Sequence, residues 1–379
     1  MFDYEKYRDI AAYNEEDSKA AVQRILQHPE IVYMIMGALS SDVTEEGIAK
    51  KKQLIGMIMN KLKAVKSYDD FQREITAGFF IPSILKSSSD GFSASFSDKL
   101  DPNKPYLFIS NHRDIILDCA LLDYALLNHG FPLCEMAIGD NLLSNQLVED
   151  LFRLNGGVIV KRTLPMREKY LESIRLSEYF VDKITEGHRS IWVAQKSGRS
   201  KDGIDTTHPA IIKMLYLSKK KSGITFAELI KSVNIVPVAI SYEYDPNDIN
   251  KARELFSLES KGKYEKRKME DIISMCKGLR GYKGRIHVSL CDPLTEDYDN
   301  PDAVAAEIDK RMHKEYKLWP SNYFAYDYLE HSDRFATEYK DFDSASFLKK
   351  YEHLSDEVRT LVLNNYANAV RSYLEACEE

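Results

Sequence analysis

Apolar residues recur at spacings of three and four between residues 16 and 80, which is the period of an amphipathic α-helix. Asp17 and Thr44 stand ahead of two of these repeats and fit the preference for polar N-cap residues. The stretch 86–105 is rich in Ser, Asp and Pro and interrupts the pattern, as loops or an irregular entry strand do. The sequence therefore predicts a small helical domain over residues 1–85.

From residue 106 the pattern changes to short apolar runs that alternate with helical repeats. The predicted strands read YLFIS, PLCEMAIG, GVIVKR, SIWVAQ, NIVPVAISYEY and RIHVSL. Strands that alternate with helices of this length are typical of a largely parallel sheet covered on both faces. We therefore predict an α/β fold over residues 86–300, a largely parallel mixed sheet flanked by helices, and a helical C-terminal extension over residues 301–379.

Composition limits the classes of function. The 379 residues are 44% hydrophobic, enough for a packed core, and their net charge of −7 argues against general nucleic-acid binding. The five cysteines are widely scattered, which predicts reduced thiols and no zinc site. The longest apolar run, residues 31–39, is about half of the roughly 20 residues that span a bilayer, and no secretory signal is evident. We expect a cytoplasmic protein, with possible peripheral contact at the inner face of the membrane.

Polar residues gather where three predicted strands end. The first set is Asn111, His112, Arg113 and Asp114; the second is Lys161 and Arg162; the third is Lys196, Arg199 and Lys201. Ligands of open parallel sheets bind at the carboxyl ends of the strands, so these three sets are expected to face one cleft. Any anionic ligand of this acidic chain would have to meet such a local group of cations.

This combination suits acyl or phosphoryl transfer. A neutral imidazole can accept a proton from a hydroxyl, a carboxylate can hold its other nitrogen, and guanidinium groups can clamp a phosphate. Gly198 allows the backbone to wrap closely around an anion. Taken singly, Asp114 and Asp118 could be helix N-terminal charges and the cations could be solvated strand ends. Their coincidence at three strand ends favours a site.

The letters HRDIILD also resemble the catalytic loop of protein kinases, in which a metal-binding Asn follows the Asp by five positions. Here that position is Cys119. The chain has neither a glycine-rich phosphate loop upstream nor an Asp-Phe-Gly triplet downstream. We therefore exclude a protein kinase.

Four ordered blocks over roughly residues 110–245, FISNHRDIILD, GGVIVKRT, IWVAQKSGRSKDG and IVPVAISYEY, resemble the glycerolipid acyltransferase superfamily. RIHVSLCDPL looks like the closing strand of that family. With a helical domain ahead of the blocks, the chain is most similar to the soluble plastid-type glycerol-3-phosphate acyltransferases. The resemblance implies transfer of a fatty acyl group from acyl carrier protein or coenzyme A to glycerol-3-phosphate or its 1-acyl form in phospholipid biosynthesis.

The resemblance also implies roles for individual residues. His112 would be the general base, with Asp118 or Asp114 orienting it, and no metal or other cofactor would take part. The phosphate-binding cations would be Arg113, Lys161, Arg162, Lys196, Arg199 and Lys201, and the pocket would include Asn111, Gly198, Pro237 and Val238.

The spacing of the first block departs from the family. Five residues separate His112 from Asp118 where the family has four, and one extra residue on a helix rotates a side chain by about 100°. Either a loop absorbs this residue, or Asp114 is the orienting acid, or no acid is present. Lys196 stands where most bacterial members have Glu.

Two alternatives to glycerolphosphate acylation therefore stay open: an acyltransferase with a non-phosphate acceptor such as an amino-acid lipid, and a non-catalytic protein that binds acyl lipids or acyl carriers. Residues 77–86, AGFFIPSILK, are a candidate for contact with a membrane surface.

Overall fold

The computed structural model describes residues 2–39 and 44–378. The first part of the chain is helical: α1 (Glu15–Gln27), α2 (Glu30–Leu39), α3 (Glu45–Leu62), α4 (Tyr68–Phe71), a π-helix (Gln72–Phe80) and α5 (Ile81–Ser88). Thr44 caps α3 as predicted, since its Oγ1 accepts the Gly47 N–H at 3.1 Å. The N-cap of α1 is Asn14 and not Asp17, because the Asn14 side chain accepts the Asp17 N–H at 2.8 Å.

Seven strands form one sheet in the order β1-β7-β6-β2-β5-β3-β4. They are β1 (Gly91–Phe96), β2 (Leu107–Ser110), β3 (Glu135–Gly139), β4 (Gly157–Val160), β5 (Ile191–Ala194), β6 (Ile235–Tyr242) and β7 (Arg285–Leu290). Every pairing is parallel except β6 with β7, which is antiparallel. This arrangement confirms the predicted largely parallel mixed sheet of an α/β fold.

Helices cover both faces of the sheet. Between the strands lie α6 (Leu117–Asn128), α7 (Gln146–Leu154), α8 (Met166–Thr185), α9 (Ala210–Lys219), α10 (Phe226–Ser232), α11 (Asp248–Lys261) and α12 (Glu270–Arg280). Side chains of a strand alternate between faces, and in β2 this places Leu107 and Ile109 in one buried cluster and Phe108 in the other. The sheet is thus buried on both sides, which explains why β2 and β6 read as continuous apolar runs.

The C-terminal part of the chain is helical, with α13 (Pro301–Glu315), α14 (Pro320–Glu330), α15 (Ser344–Lys349) and α16 (Asp356–Glu378). α14 contacts the end of β6, because Ser321 Oγ donates to the Glu243 carbonyl at 2.7 Å. It is joined to α16 by the hydrogen bond from Asn322 Nδ2 to the Tyr366 carbonyl at 3.0 Å. The division of the chain at residues 85 and 300 stays a prediction.

The segment predicted as a candidate for membrane contact, residues 77–86, is partly buried against the rest of the protein. Phe79 and Phe80 are half-buried against the cluster formed by the N-terminal helices, while Ile81 and Ile84 are buried in the cluster beneath the sheet. Membrane contact by this segment stays a prediction. In the described ranges, the structure has no helix with the length and apolar character needed to cross a membrane.

Candidate active site

His112 lies in the loop between β2 and α6, and Asp118 lies in the first turn of α6. The imidazole Nδ1 is 2.9 Å from Asp118 Oδ2, and the carboxylate is almost completely buried. A carboxylate at Nδ1 favours the tautomer that carries its proton on that nitrogen. The other ring nitrogen, Nε2, is then the proton acceptor.

The loop absorbs the extra residue between His112 and Asp118. Asp118 Oδ2 also accepts the backbone N–H groups of Arg113 at 2.6 Å and Asp114 at 2.9 Å, which folds the loop back over the start of α6. Because α6 begins only at Leu117, the intervening residues are not helical and the expected rotation of about 100° does not apply. The irregular spacing therefore still produces a His–Asp pair.

Asp114 has a different position from the one considered in the sequence analysis. Its Oδ1 accepts the N–H groups of Ile116 and Leu117, each at 2.9 Å, so the carboxylate caps α6 and does not orient His112. Its Oδ2 lies so close to Gly278 of α12 that a Cβ there would be 1.9 Å away. Burial, and next the charge of Asp118, raise the pKa of Asp114.

His112 opens onto a cavity of about 200 Å³ beside β3 and β5. Four other predicted site residues line the same cavity: Arg162, Gly198, Arg199 and Lys201. The remaining wall is largely apolar and includes Ile115, Ile116, Met136, Ile138 and Trp192. A cavity with cations and an imidazole on one part of its wall and apolar side chains on the rest can hold a charged head group beside the first carbons of an acyl chain.

The cations of the cavity are not equivalent. Arg199 Nη1 is buried and has no hydrogen-bond partner among the described residues, so an anion in the cavity would supply one. The Arg162 guanidinium lies against Gly139: a Cβ atom added to this glycine would be 2.9 Å from Arg162 Nε. Lys201 Nζ is 3.0 Å from the carboxylate of Glu254, which also lines the cavity. The two arginines are therefore the stronger candidates for binding a phosphate.

Three predicted phosphate-binding residues do not line the cavity. Lys161 follows the end of β4, and its Nζ is 2.7 Å from Asp9 Oδ2. Arg113 is buried and donates to Asp205 at 2.6 Å, so its guanidinium is already neutralised inside the protein. Lys196 is half-buried but is not part of the cavity wall.

Three predicted pocket residues are buried in or next to the sheet. The Asn111 side chain accepts the Ile240 N–H at 2.8 Å and donates to the Ile240 carbonyl at 3.0 Å, which ties the loop to β6. Pro237 and Val238 are buried within β6, and Val238 belongs to the buried cluster that contains Phe108, on one face of the sheet. None of the three lines the cavity.

Sequence reasoning missed two side chains that contact the His–Asp pair. Tyr242 Oη donates to Asp118 Oδ1 at 2.9 Å from the last residue of β6, and the edge of Trp192 faces the imidazole with ring centroids 6.0 Å apart. Tyr242 also lies at the end of a strand, so the rule that ligands bind at the carboxyl ends of parallel strands applies to it as it does to His112. The sequence alone does not show that β6 is the neighbour of β2, which is what brings Tyr242 close to Asp118. Among the described residues, no group of three or more His, Cys, Asp or Glu could hold a metal ion.

Comparisons with known proteins agree with this reading of the fold. Residues 92–241, which include His112, Arg162 and Arg199, match the model of the Acyltransferase family. This match confirms the resemblance to the glycerolipid acyltransferase superfamily.

Among solved structures, the crystal structure of the 1-acyl-sn-glycerophosphate (LPA) acyltransferase PlsC from Thermotoga maritima is similar to the chain, with a TM-score of 0.39 and 12% sequence identity. That similarity covers 79% of this chain and 91% of the other. A search of the curated proteins found no match.

Proposed function

We propose that the protein is a thioester-dependent O-acyltransferase that acylates a hydroxyl of glycerol-3-phosphate or of 1-acyl-glycerol-3-phosphate in phospholipid biosynthesis. The observation that carries the proposal is the His112–Asp118 pair opening onto the same cavity as Arg162 and Arg199. An anchored phosphate and a base with a free ring nitrogen are the two requirements for activating a neighbouring hydroxyl.

In this mechanism His112 Nε2 removes the proton of the acceptor hydroxyl as its oxygen attacks the carbonyl carbon of the acyl thioester. Asp118 stabilises the imidazolium that forms, and Tyr242 holds Asp118 in place. The thiolate of the donor leaves and recovers the proton from His112, so transfer needs no acyl-enzyme and no metal. The apolar wall of the cavity contacts the part of the acyl chain next to the thioester.

Arg199 and Arg162 bind the phosphate of the acceptor and fix the distance from its hydroxyl to the imidazole. The buried, unpartnered Nη1 of Arg199 supports a phosphorylated acceptor over an uncharged one. The His112–Asp118 contact supports a catalytic role over a non-catalytic acyl-binding protein, which was considered because of the irregular spacing. The donor is acyl carrier protein or coenzyme A carrying the acyl group, and the acceptor or product places the enzyme in peripheral contact with a membrane.

Mass spectrometry of the products tests the proposal. Acyl carrier protein and coenzyme A donors are each combined with glycerol-3-phosphate, its 1-acyl form, and an amino-acid lipid that lacks a phosphate. We expect an acylated product from a phosphorylated acceptor only, and a loss of about 10²- to 10⁴-fold in rate for His112→Ala. Wild-type rates in His112→Ala, or acylation of the amino-acid lipid alone, would refute the proposal.

His129 offers a matched control for the loss of an imidazole. It packs against Phe96 at the end of α6, and its Nδ1 contacts the Ala125 carbonyl at 2.9 Å, away from the cavity. His129→Ala should therefore keep the wild-type rate.

A further inference from the structure

A basic and apolar surface borders the cavity at the start of α12. We define this rim surface as residues 261–269 together with Ile272 and Ile273. We propose that the rim surface docks on an anionic phospholipid membrane, with its cations among the headgroups and its apolar side chains below them. The inference rests on the proposed function in one respect: docking would bring the cavity to a surface that contains its lipid substrates or products.

The charge of the rim surface is opposite to that of the chain. Residues 261–270, KGKYEKRKME, contain five cations and two carboxylates, whereas the whole chain has a net charge of −7. Two of these cations have nearby carboxylates: Lys263 with Glu265 at 2.7 Å, and Lys266 with Asp271 at 2.7 Å. Lys261, Arg267 and Lys268 are exposed, and clustered basic side chains of this kind are attracted to anionic headgroups.

Three large apolar side chains of the rim surface are exposed to water. Met269 is 54% exposed, Ile272 is 41% exposed and Ile273 is 51% exposed. Met269 also adopts a left-handed backbone conformation, φ 69°, which is strained for a residue with a long side chain. Exposed aliphatic side chains beside a basic stretch are the combination found in segments that bind at a membrane interface.

The rim surface is continuous with the cavity. Lys266 and Asp271 line the cavity that contains His112, so the docked surface would bring the cavity to the headgroup layer. Ile272 and Ile273 also line a second groove, of about 620 Å³, between α12 and the residues after β6. The walls of this groove include Tyr244 and Tyr282, so apolar surface extends beyond the two isoleucines.

A lipid surface fits these features better than an acidic protein does. The exposed aliphatic side chains need an apolar environment directly below the layer of charge, and a bilayer interface has that order of charge and hydrocarbon. A contact made only of charges would leave Met269 and the two isoleucines exposed to water. Docking on an acidic carrier protein is the competing outcome of the test.

Co-sedimentation of the full-length protein with vesicles tests the proposal. One set of vesicles is phosphatidylcholine and the other is phosphatidylcholine mixed with phosphatidylglycerol. The charge variant is Lys261→Gln, Arg267→Gln, Lys268→Gln, and the apolar variant is Ile272→Ser, Ile273→Ser. Lys213→Gln, Lys220→Gln, Lys221→Gln is the matched control, because these three exposed lysines lie at α9, away from the cavity.

The wild type should bind the anionic vesicles and release them at high salt. The charge variant should lower the partition coefficient on anionic vesicles roughly 100-fold, since each cation near an anionic surface contributes about a factor of five. The apolar variant should also bind more weakly, and the control should bind like the wild type. None of the three charge substitutions is in the cavity wall, so transfer to water-soluble glycerol-3-phosphate should be unchanged.

Absence of wild-type binding to anionic vesicles, or an equal loss in the control, would overturn the docking proposal. So would a charge variant that sediments normally but loses transfer only from the acyl carrier protein, because the surface would then bind that protein. Vesicle binding without any acyl transfer would overturn the proposed function and leave the docking surface intact.

Discussion

Tyr242 Oη donates a hydrogen bond of 2.9 Å to Asp118 Oδ1, while the other oxygen of the same carboxylate holds His112 Nδ1 at the same distance. The two contacts join the end of β6 to the loop after β2, which are neighbouring strands. Burial raises the pKa of Tyr242 well above its usual range, so the phenol stays protonated and remains a donor. Asp118 is thus fixed from the side opposite to the imidazole.

Tyr242→Phe should therefore weaken both the fold and the base. The substitution removes one donor from a buried carboxylate, which should lower the free energy of unfolding by about 1–3 kcal/mol. The acyl-transfer rate should fall while KM for the phosphorylated acceptor stays the same, because Tyr242 acts through Asp118. Urea unfolding and steady-state kinetics measure the two effects. Tyr328→Phe, at an exposed position of α14, is the control, and equal effects of both changes would contradict this role.

Arg199 and Lys161 make a matched pair for the phosphate assignment. Arg199→Ala should raise KM for a phosphorylated acceptor roughly 10- to 100-fold, the size of a lost charge-assisted hydrogen bond. Lys161→Ala should change KM by less than about 2-fold, because Lys161 pairs with Asp9 and Glu172 outside the cavity. Steady-state kinetics at varied acceptor concentration separate the two. Similar losses in both variants would show a long-range effect of charge and not a binding contact.

The order of elements could be predicted because strand and helix periods differ and because the two-sided burial of this sheet makes its strands continuous apolar runs. The grouping of His112, Arg162 and Arg199 could be predicted for a related reason, since the ends of parallel strands meet at one edge. The rule says which strand ends meet. It does not say which of two consecutive side chains faces the ligand.

That second question concerns the predicted phosphate-binding residues that do not line the cavity. Lys161 and Arg162 both follow β4, but only Arg162 lines the cavity, while Lys161 pairs with Asp9; no strand periodicity applies to residues beyond the strand end. Arg113 pairs with Asp205, which lies 92 positions further along the chain, and no local pattern indicates a buried ion pair at that separation. The helical C-terminal part of the chain completes this pair: Arg113 Nη1 donates to Asn365 Oδ1 at 3.0 Å.

Gly139→Ala tests whether the position of Arg162 matters. A Cβ at residue 139 would be 2.4 Å from Asn141 Oδ1 and 2.9 Å from Arg162 Nε, so the flexible guanidinium must move. KM for a phosphorylated acceptor should rise about as much as in Arg162→Ala, roughly 10-fold for one displaced charge-assisted contact. Steady-state kinetics of the single and double variants check the expectation.

The double variant Gly139→Ala, Arg162→Ala should be no weaker than Arg162→Ala alone, because both changes remove the same contact. Gly56→Ala in α3 is the control, since a Cβ there meets nothing within 4 Å. A fully additive loss in the double variant would mean that Gly139 affects the site through some other group.

Asp123 should make the stability of the protein depend on pH. Its carboxyl is buried, accepts the Cys134 N–H at 2.8 Å and the Gln72 amide at 2.7 Å, and burial raises its pKa to about 7. Between about pH 4 and pH 7 the folded chain keeps a proton that the unfolded chain releases. The free energy of unfolding should therefore fall as pH rises through this window, by up to about 1.4 kcal/mol per pH unit.

Urea unfolding of the wild type and of Asp123→Asn between pH 5 and pH 8 measures this contribution. An amide does not titrate, so in the variant the free energy of unfolding should fall less steeply with pH than in the wild type. This difference in slope does not depend on how stable the variant is at any single pH. Asp248, whose pKa burial and the neighbouring Asp245 raise to about 6, contributes equally to both curves and cancels in their difference. Parallel curves for the two proteins would show that the carboxyl of Asp123 is already ionised in the folded state, with the Gln72 amide and the Cys134 N–H compensating its charge.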